Sequence, residues 1–167
     1  MTPGDPSELI VRAAAWVATG AWVASEWRRL RQGAADAQVA RAWQAGAVAM
    51  LVHVALAFGL VHDWSHDSAR AEVARETLDR MGAAVGEGVW VNYAFLLIWG
   101  ADAAWWRLRP ASYAARPRRL DAAMRAFVAF MFLNGAVVFA RGPMRVAGVV
   151  AFLALGAAWW ASRRRSA

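Results

Sequence analysis

The sequence predicts an all-α integral membrane helical bundle, and three observations predict it. Five apolar stretches, about 9–27, 42–61, 86–106, 122–140 and 144–161, each approach the roughly 20 residues that a helix needs to cross a hydrocarbon core. Basic residues, all of them arginine, gather in alternate connections between the stretches. Tryptophans stand where several stretches end, the position favoured by rings with an apolar body and a polar N–H. The hydrophobic share of 60% also exceeds the roughly 45–50% usual in soluble proteins. The length of 167 residues suits one domain.

The first stretch follows Asp5-Pro6-Ser7-Glu8, in which Asp5 can cap a helix, Pro6 fits its first turn and Glu8 completes a capping box. These acidic residues stand where a signal peptide carries positive charge, so the stretch is expected to be a span. Arg12 can snorkel outward from it. Small residues at Ala14 and Ala18, and at Gly20 and Ala24, permit close helix packing. The stretch ends at Trp27-Arg28-Arg29. The second stretch carries His53 and emerges at His62-Asp63-Trp64-Ser65-His66-Asp67.

The connection that follows is the longest. Over 67–81 the pattern predicts a short amphipathic surface helix, with Val73, Ala74, Thr77, Leu78 and Met81 on one face. Glu76 with Arg80, and Arg75 with Asp79, have the i,i+4 spacing of helical ion pairs. Gly82, Gly86 and Gly88 then let the chain turn back toward the membrane. The segment reads as a connector, with a lid over an outward-facing site as the alternative.

On the third stretch Asn92, Phe95, Trp99, Asp102 and Trp106 lie within about 80° of one another at 100° per residue, and this face is expected to point into the bundle. Arg141-Gly142-Pro143 is too short for anything but an antiparallel hairpin between the fourth and fifth stretches, with Pro143 opening the last helix. A four-span count is the alternative, the short fifth stretch being the one to lose.

Charge sets the expected orientation. Thirteen arginines against Glu26, Asp36, Asp102 and Asp121 give one side a net +9, and six arginines against eight carboxylates give the other −2, which together make the chain's +7. The positive-inside rule then puts the amino terminus and the His62-to-Glu87 loop outside and the carboxyl terminus in the cytoplasm, as in a bacterial inner membrane protein. Trp27, Trp43, Trp105, Trp106, Trp159 and Trp160 are expected at the cytoplasmic interface, Trp64 and Trp90 at the outer one. Beside apolar spans so many arginines point to anionic lipid and not to nucleic acid. The chain has no cysteine and no lysine, which removes thiolate sites, disulfides and Schiff-base chemistry.

Polar residues inside the apolar stretches are few, and lipid makes each one costly unless partnered. Asp102 and Arg125 fall at matching depth and are expected to form a buried salt bridge; a proton-relay carboxylate is the less favoured reading of Asp102. His53 and Asn134 lie toward mid-membrane, where hydrogen bonds between helices are expected. His62 and His66 are i,i+4 and share a face if the second helix continues that far, the spacing that offers two imidazoles to zinc or copper. Asp63, Asp67 and Glu87 are near enough in sequence to add a carboxylate. A pH-sensitive pair and plain interfacial packing are the competing readings of these histidines. Haem is disfavoured, because His53 is the only deep histidine and stands nine residues from His62, on the other side of one helix.

No phosphate-binding loop or catalytic set supports a hydrolase or an ATPase. The leading expectation is therefore a non-enzymatic accessory or sensor component, bound to other membrane subunits or to copies of itself. A metal- or redox-linked membrane protein using His62 and His66 is the second reading. A small transporter or channel is the third, disfavoured because the spans lack paired glycine or proline interruptions and central charges.

Overall fold

The computed structural model describes residues 6–33 and 36–165, and every regular element among them is helical. The order is α1 (Pro6–Gln32), α2 (Ala37–Leu60), α3 (His66–Met81), α4 (Gly88–Leu108), α5 (Pro110–Ala114), α6 (Arg118–Leu133), a π turn (Asn134–Val138) and α7 (Gly142–Arg165). The capping role expected of Asp5 falls outside the described residues. Glu8 is described, and it binds Arg12 one turn along α1 at 2.5 Å.

The chain has the helix lengths and composition of a membrane protein. Three of its helical segments, 37–60, 118–138 and 142–164, combine the length and the apolar composition needed to cross a bilayer. They include both arms of the last hairpin, so the fifth stretch has the length and apolar composition of a span. Length alone does not separate α1 and α4 from these three, since they have 27 and 21 residues. Composition does: α1 ends in arginines, and α4 holds four tryptophans along with Asn92 and Asp102.

Aromatic rings fill the interior. Trp22 of α1, Trp43 of α2 and Trp99 of α4 are fully buried, packed with Phe95, Met124, Val128 and Phe132. Trp22 stacks on Phe132 with ring centroids 4.6 Å apart, and Trp99 meets Trp43 edge-on at 5.5 Å. Gly46 of α2 makes room for this, because a β-carbon there would stand 3.0 Å from the Trp99 ring. Trp43 therefore belongs to the core and not to the interfacial belt. Trp27, Trp159 and Trp160 are exposed, and Trp105 and Trp106 are half-buried against Tyr113.

The two ends of the bundle are distinct. At one end α3 lies across the α6–α7 turn: Arg80 donates to the carbonyls of Phe139 and Ala140 at 3.0 and 3.4 Å, and Arg141 meets Asp79 at 3.4 Å. The i,i+4 pairs expected within α3 are not the contacts made, since Arg75 instead binds Glu72. The nearby turn offers Arg80 and Asp79 partners on another element. The buried stripe of α3 is Ala69 and Thr77, whereas Leu78 and Met81 of the expected apolar face are exposed. Gly82 closes the helix in the left-handed region, φ 75°, where glycine carries no β-carbon penalty. At the opposite end lie the α1–α2 and α4–α5–α6 connections.

Candidate functional site

A dense polar cluster among the described residues sits at this end of the bundle. Asp102, near the end of α4, receives three donors: Trp43 Nε1 at 2.8 Å, the Tyr113 hydroxyl at 2.9 Å and Arg116 at 2.5 Å. Arg116 also reaches Asp121, at the start of α6. Asp121 in turn accepts from Arg29 of α1 and, at 3.2 Å, from Arg125 one helical turn along α6. Arg125 closes the circuit on Glu26 of α1. Three guanidinium groups thus face three carboxylates.

Burial makes this arrangement consequential. The Arg116 side chain is 4% exposed, and those of Arg125 and Asp102 are each 7% exposed. An ion stranded at such depth is expensive, but each charge here has an opposite partner. Aromatic rings supply further stabilisation: Arg116 lies over Tyr113 at 3.7 Å and Arg125 over Trp43 at 4.8 Å. Burial and the adjoining Asp102 carboxylate push the Tyr113 phenol above its ordinary range. Burial also works against the Arg116 charge, but Asp121 and Asp102 outweigh it and hold that guanidinium more firmly protonated than usual. The cluster is a clamp joining α1, α2, α4, α5 and α6, with Asp102 engaged by three donors.

Asp102 and Arg125 are both in the clamp, but they are not each other's partners. The expected pair fails because the α4–α6 connection folds inward and brings Arg116 to Asp102, leaving Arg125 to α1. Nothing in the sequence separates Arg116 from its neighbours Arg107, Arg109, Arg118 and Arg119. Of the clamp's pairs only Asp121 with Arg125 has a local spacing, i,i+4, that a sequence can signal. Tyr113 and the helix α5 that presents it were not anticipated. The short helix itself was signalled by Pro110, which suits a first turn.

The remaining polar positions fall elsewhere. Asn92 is exposed, although its neighbours on the α4 face, Phe95, Trp99 and Asp102, point inward. It lies in the first turns of α4, away from the clamp. His53 of α2 bonds through Nδ1 with the Val11 carbonyl of α1 at 2.9 Å, a contact between helices. Asn134 instead donates to Phe130 of its own helix at 2.8 Å, at the start of the π turn.

The histidines at the α3 end do not share a helical face. The second helix stops at Leu60, and Asp63 and Trp64 take left-handed conformations, φ 48° and 58°, which turn the chain before His66. Ser65 then caps α3 by accepting from the Ser68 N–H at 3.2 Å. Serine before Asp67 is the signal that announces this new start. His62 faces the Ser68 hydroxyl at 3.3 Å, and His66 faces the Tyr93 hydroxyl at 3.0 Å while packing on Trp90. Among the described residues no three or more His, Cys, Asp or Glu side chains gather as a metal site would require.

Comparison with protein-family models, with curated proteins and with solved structures finds no match for this chain.

Proposed function

We propose that the chain is a non-enzymatic component of a membrane complex, an accessory or sensor subunit built as a five-span inner membrane bundle. The amino terminus lies outside and the carboxyl terminus in the cytoplasm. Five spans are supported by helix length: the 21 residues of α4 extend about 31 Å at 1.5 Å per residue, close to the roughly 30 Å of a hydrocarbon core. The orientation is supported by the arginine distribution, which puts the clamp at the cytoplasmic end. In the same reading α3 lies on the outer surface, with Leu78 and Met81 toward the lipid.

One observation carries the functional reading. The ionised groups inside the bundle are spent on one another, Asp102 with three donors and Arg125 with two carboxylates, and stacked rings fill the space between the helices. Such an interior invests in holding one shape. A fixed shape serves recognition by other subunits, whereas transport or catalysis needs polar groups free to meet a ligand.

The test is purification of the tagged chain, at native abundance, directly into polymer nanodiscs. A partner subunit recovered at fixed stoichiometry, and lost when the exposed apolar face of α7 is altered by Leu153→Gln, is the expected result. Recovery of the chain alone, combined with stoichiometric zinc or copper that disappears on His62→Ala, would replace this reading with the metal-linked one.

A further inference from the structure

The outward face of α1 carries a groove, of whose lining only Val23 also packs against the core. Gly20, Val23, Ala24, Trp27, Arg28 and Arg31 line a shallow concavity of about 450 Å³. It lies away from the buried face of the helix, which is Ala18, Trp22 and Ser25. Nothing stands within 4 Å of where a side chain on Gly20 would begin, so the groove floor is open. Toward the end of the helix the floor gives way to Trp27, with the Arg31 guanidinium over its ring at 5.5 Å.

The arginines here differ from their neighbour. Arg29, between them in sequence, turns inward and is held by Asp121. Neither Arg28 nor Arg31 has a carboxylate partner among the described residues. Along α1 the groove therefore runs from a smooth apolar floor, past an interfacial ring, to two uncompensated cations. A phospholipid in a leaflet has the same order: acyl chain, ester region, phosphate.

We propose that this groove is a binding site for one anionic phospholipid, with its phosphate between Arg28 and Arg31 and an acyl chain along Gly20, Val23 and Ala24. Arginine suits the phosphate because its planar fork can donate to two oxygens at once. A second copy of the chain fits less well. Gly20 and Ala24 have the spacing of a close helix pair, but two-fold packing there sets Arg28 and Arg31 against their own copies in a poorly screened setting. The inference goes beyond the subunit reading and needs no assignment of sides, because lipid binding in detergent has no sidedness.

The full chain in mild detergent would be titrated with phosphatidylglycerol, with phosphatidylcholine of the same chains, and with inorganic phosphate, and retained ligand counted by native mass spectrometry. The wild type should hold one phosphatidylglycerol in preference to phosphatidylcholine. Replacing both cations, Arg28→Gln with Arg31→Gln, should weaken retention about tenfold or more, since each basic residue near an anionic headgroup contributes on the order of 1 kcal/mol. Filling the floor with Gly20→Leu and Ala24→Leu should do the same while leaving the charges in place. Arg163→Gln with Arg164→Gln removes as much charge from cations that lie over Trp159 and Trp160 on α7, and should leave retention unchanged.

Equal losses from the two arginine pairs would overturn the site in favour of diffuse surface charge. So would equal retention of phosphatidylcholine, or inorganic phosphate competing at the concentration of the lipid. A dimer that dissolves on Gly20→Leu would assign the groove to a second copy. All these positions are exposed or half-buried on α1 or α7, and circular dichroism of each variant verifies that the helices persist.

Discussion

At the residue scale, Arg116 is the position on which the clamp turns, because it alone bridges Asp102 and Asp121. Replacing it by Met strands Asp102 in a buried setting, and losing one member of such a pair costs about 3–5 kcal/mol. Adding Asp102→Asn removes the stranded charge, so the double variant should unfold in nanodiscs at a higher temperature than Arg116→Met alone. A double variant less stable than either single change would mean that the two residues act independently. Tyr113 gives the clamp a pH dependence. Its pKa is raised in the folded state, so the stability tied to it is intact below the ordinary phenol value of 10.0 and is lost as pH climbs through the folded value. With neither lysine nor cysteine in the chain, Tyr93 and Tyr113 are the side chains with ordinary values in that range. Thermal stability should fall between about pH 10 and 12, by at most about 1.4 kcal/mol per pH unit. Tyr113→Phe should flatten that decline; an unchanged alkaline limb would remove Tyr113 from the clamp's pH response.

Of the glycines, Gly148 has the tightest surroundings, where α7 crosses the π turn. A β-carbon on Gly148 would stand 2.3 Å from the Ala136 carbonyl oxygen and 2.8 Å from its carbon, and both atoms belong to the backbone. Neither can move aside as a flexible side chain can. Gly148→Ala should therefore destabilise by about 1–3 kcal/mol or more, the range for forcing an extra carbon into a packed contact. Gly156→Ala, on the same helix but facing open space, should be neutral or gain up to about 1 kcal/mol of helix propensity. Unfolding curves of the two variants make the comparison, and equal stability would remove the close approach. At this scale the apolar stretches were legible in the sequence because the period and length of a helix leave a direct imprint on composition. The stop at Leu60 was less legible. Two left-handed residues, Asp63 and Trp64, impose it, and neither is glycine.

For the whole molecule, alternation of its two ends is the feature to test. Reporter fusions at Asp79 and after Arg141 should report the outer side, and fusions at Gly33 and after Arg165 the cytoplasm. A cytoplasmic signal at Asp79 would overturn the proposed topology. Two groups of contacts lie at opposite ends of the bundle. Arg80 and Asp79 of α3 reach the 139–141 turn at one end, while Arg29, Asp102 and Arg116 draw the other connections together at the opposite one.

An all-helical chain suited to a membrane is written in the amino acids alone, because apolar length and the demand that every backbone group in lipid be hydrogen-bonded leave few other solutions. Their order also sets which arginines lie near which helix ends. Partners emerge from the folded chain: Asp102 takes Arg116 and not Arg125, Trp43 is core and not interface, and His62 and His66 part company. The physical reason is common to all three. Helical periodicity reports which face of one element a residue occupies, whereas pairing depends on how connections such as 109–117 and 61–65 fold back, and that is settled by contacts between elements distant in sequence.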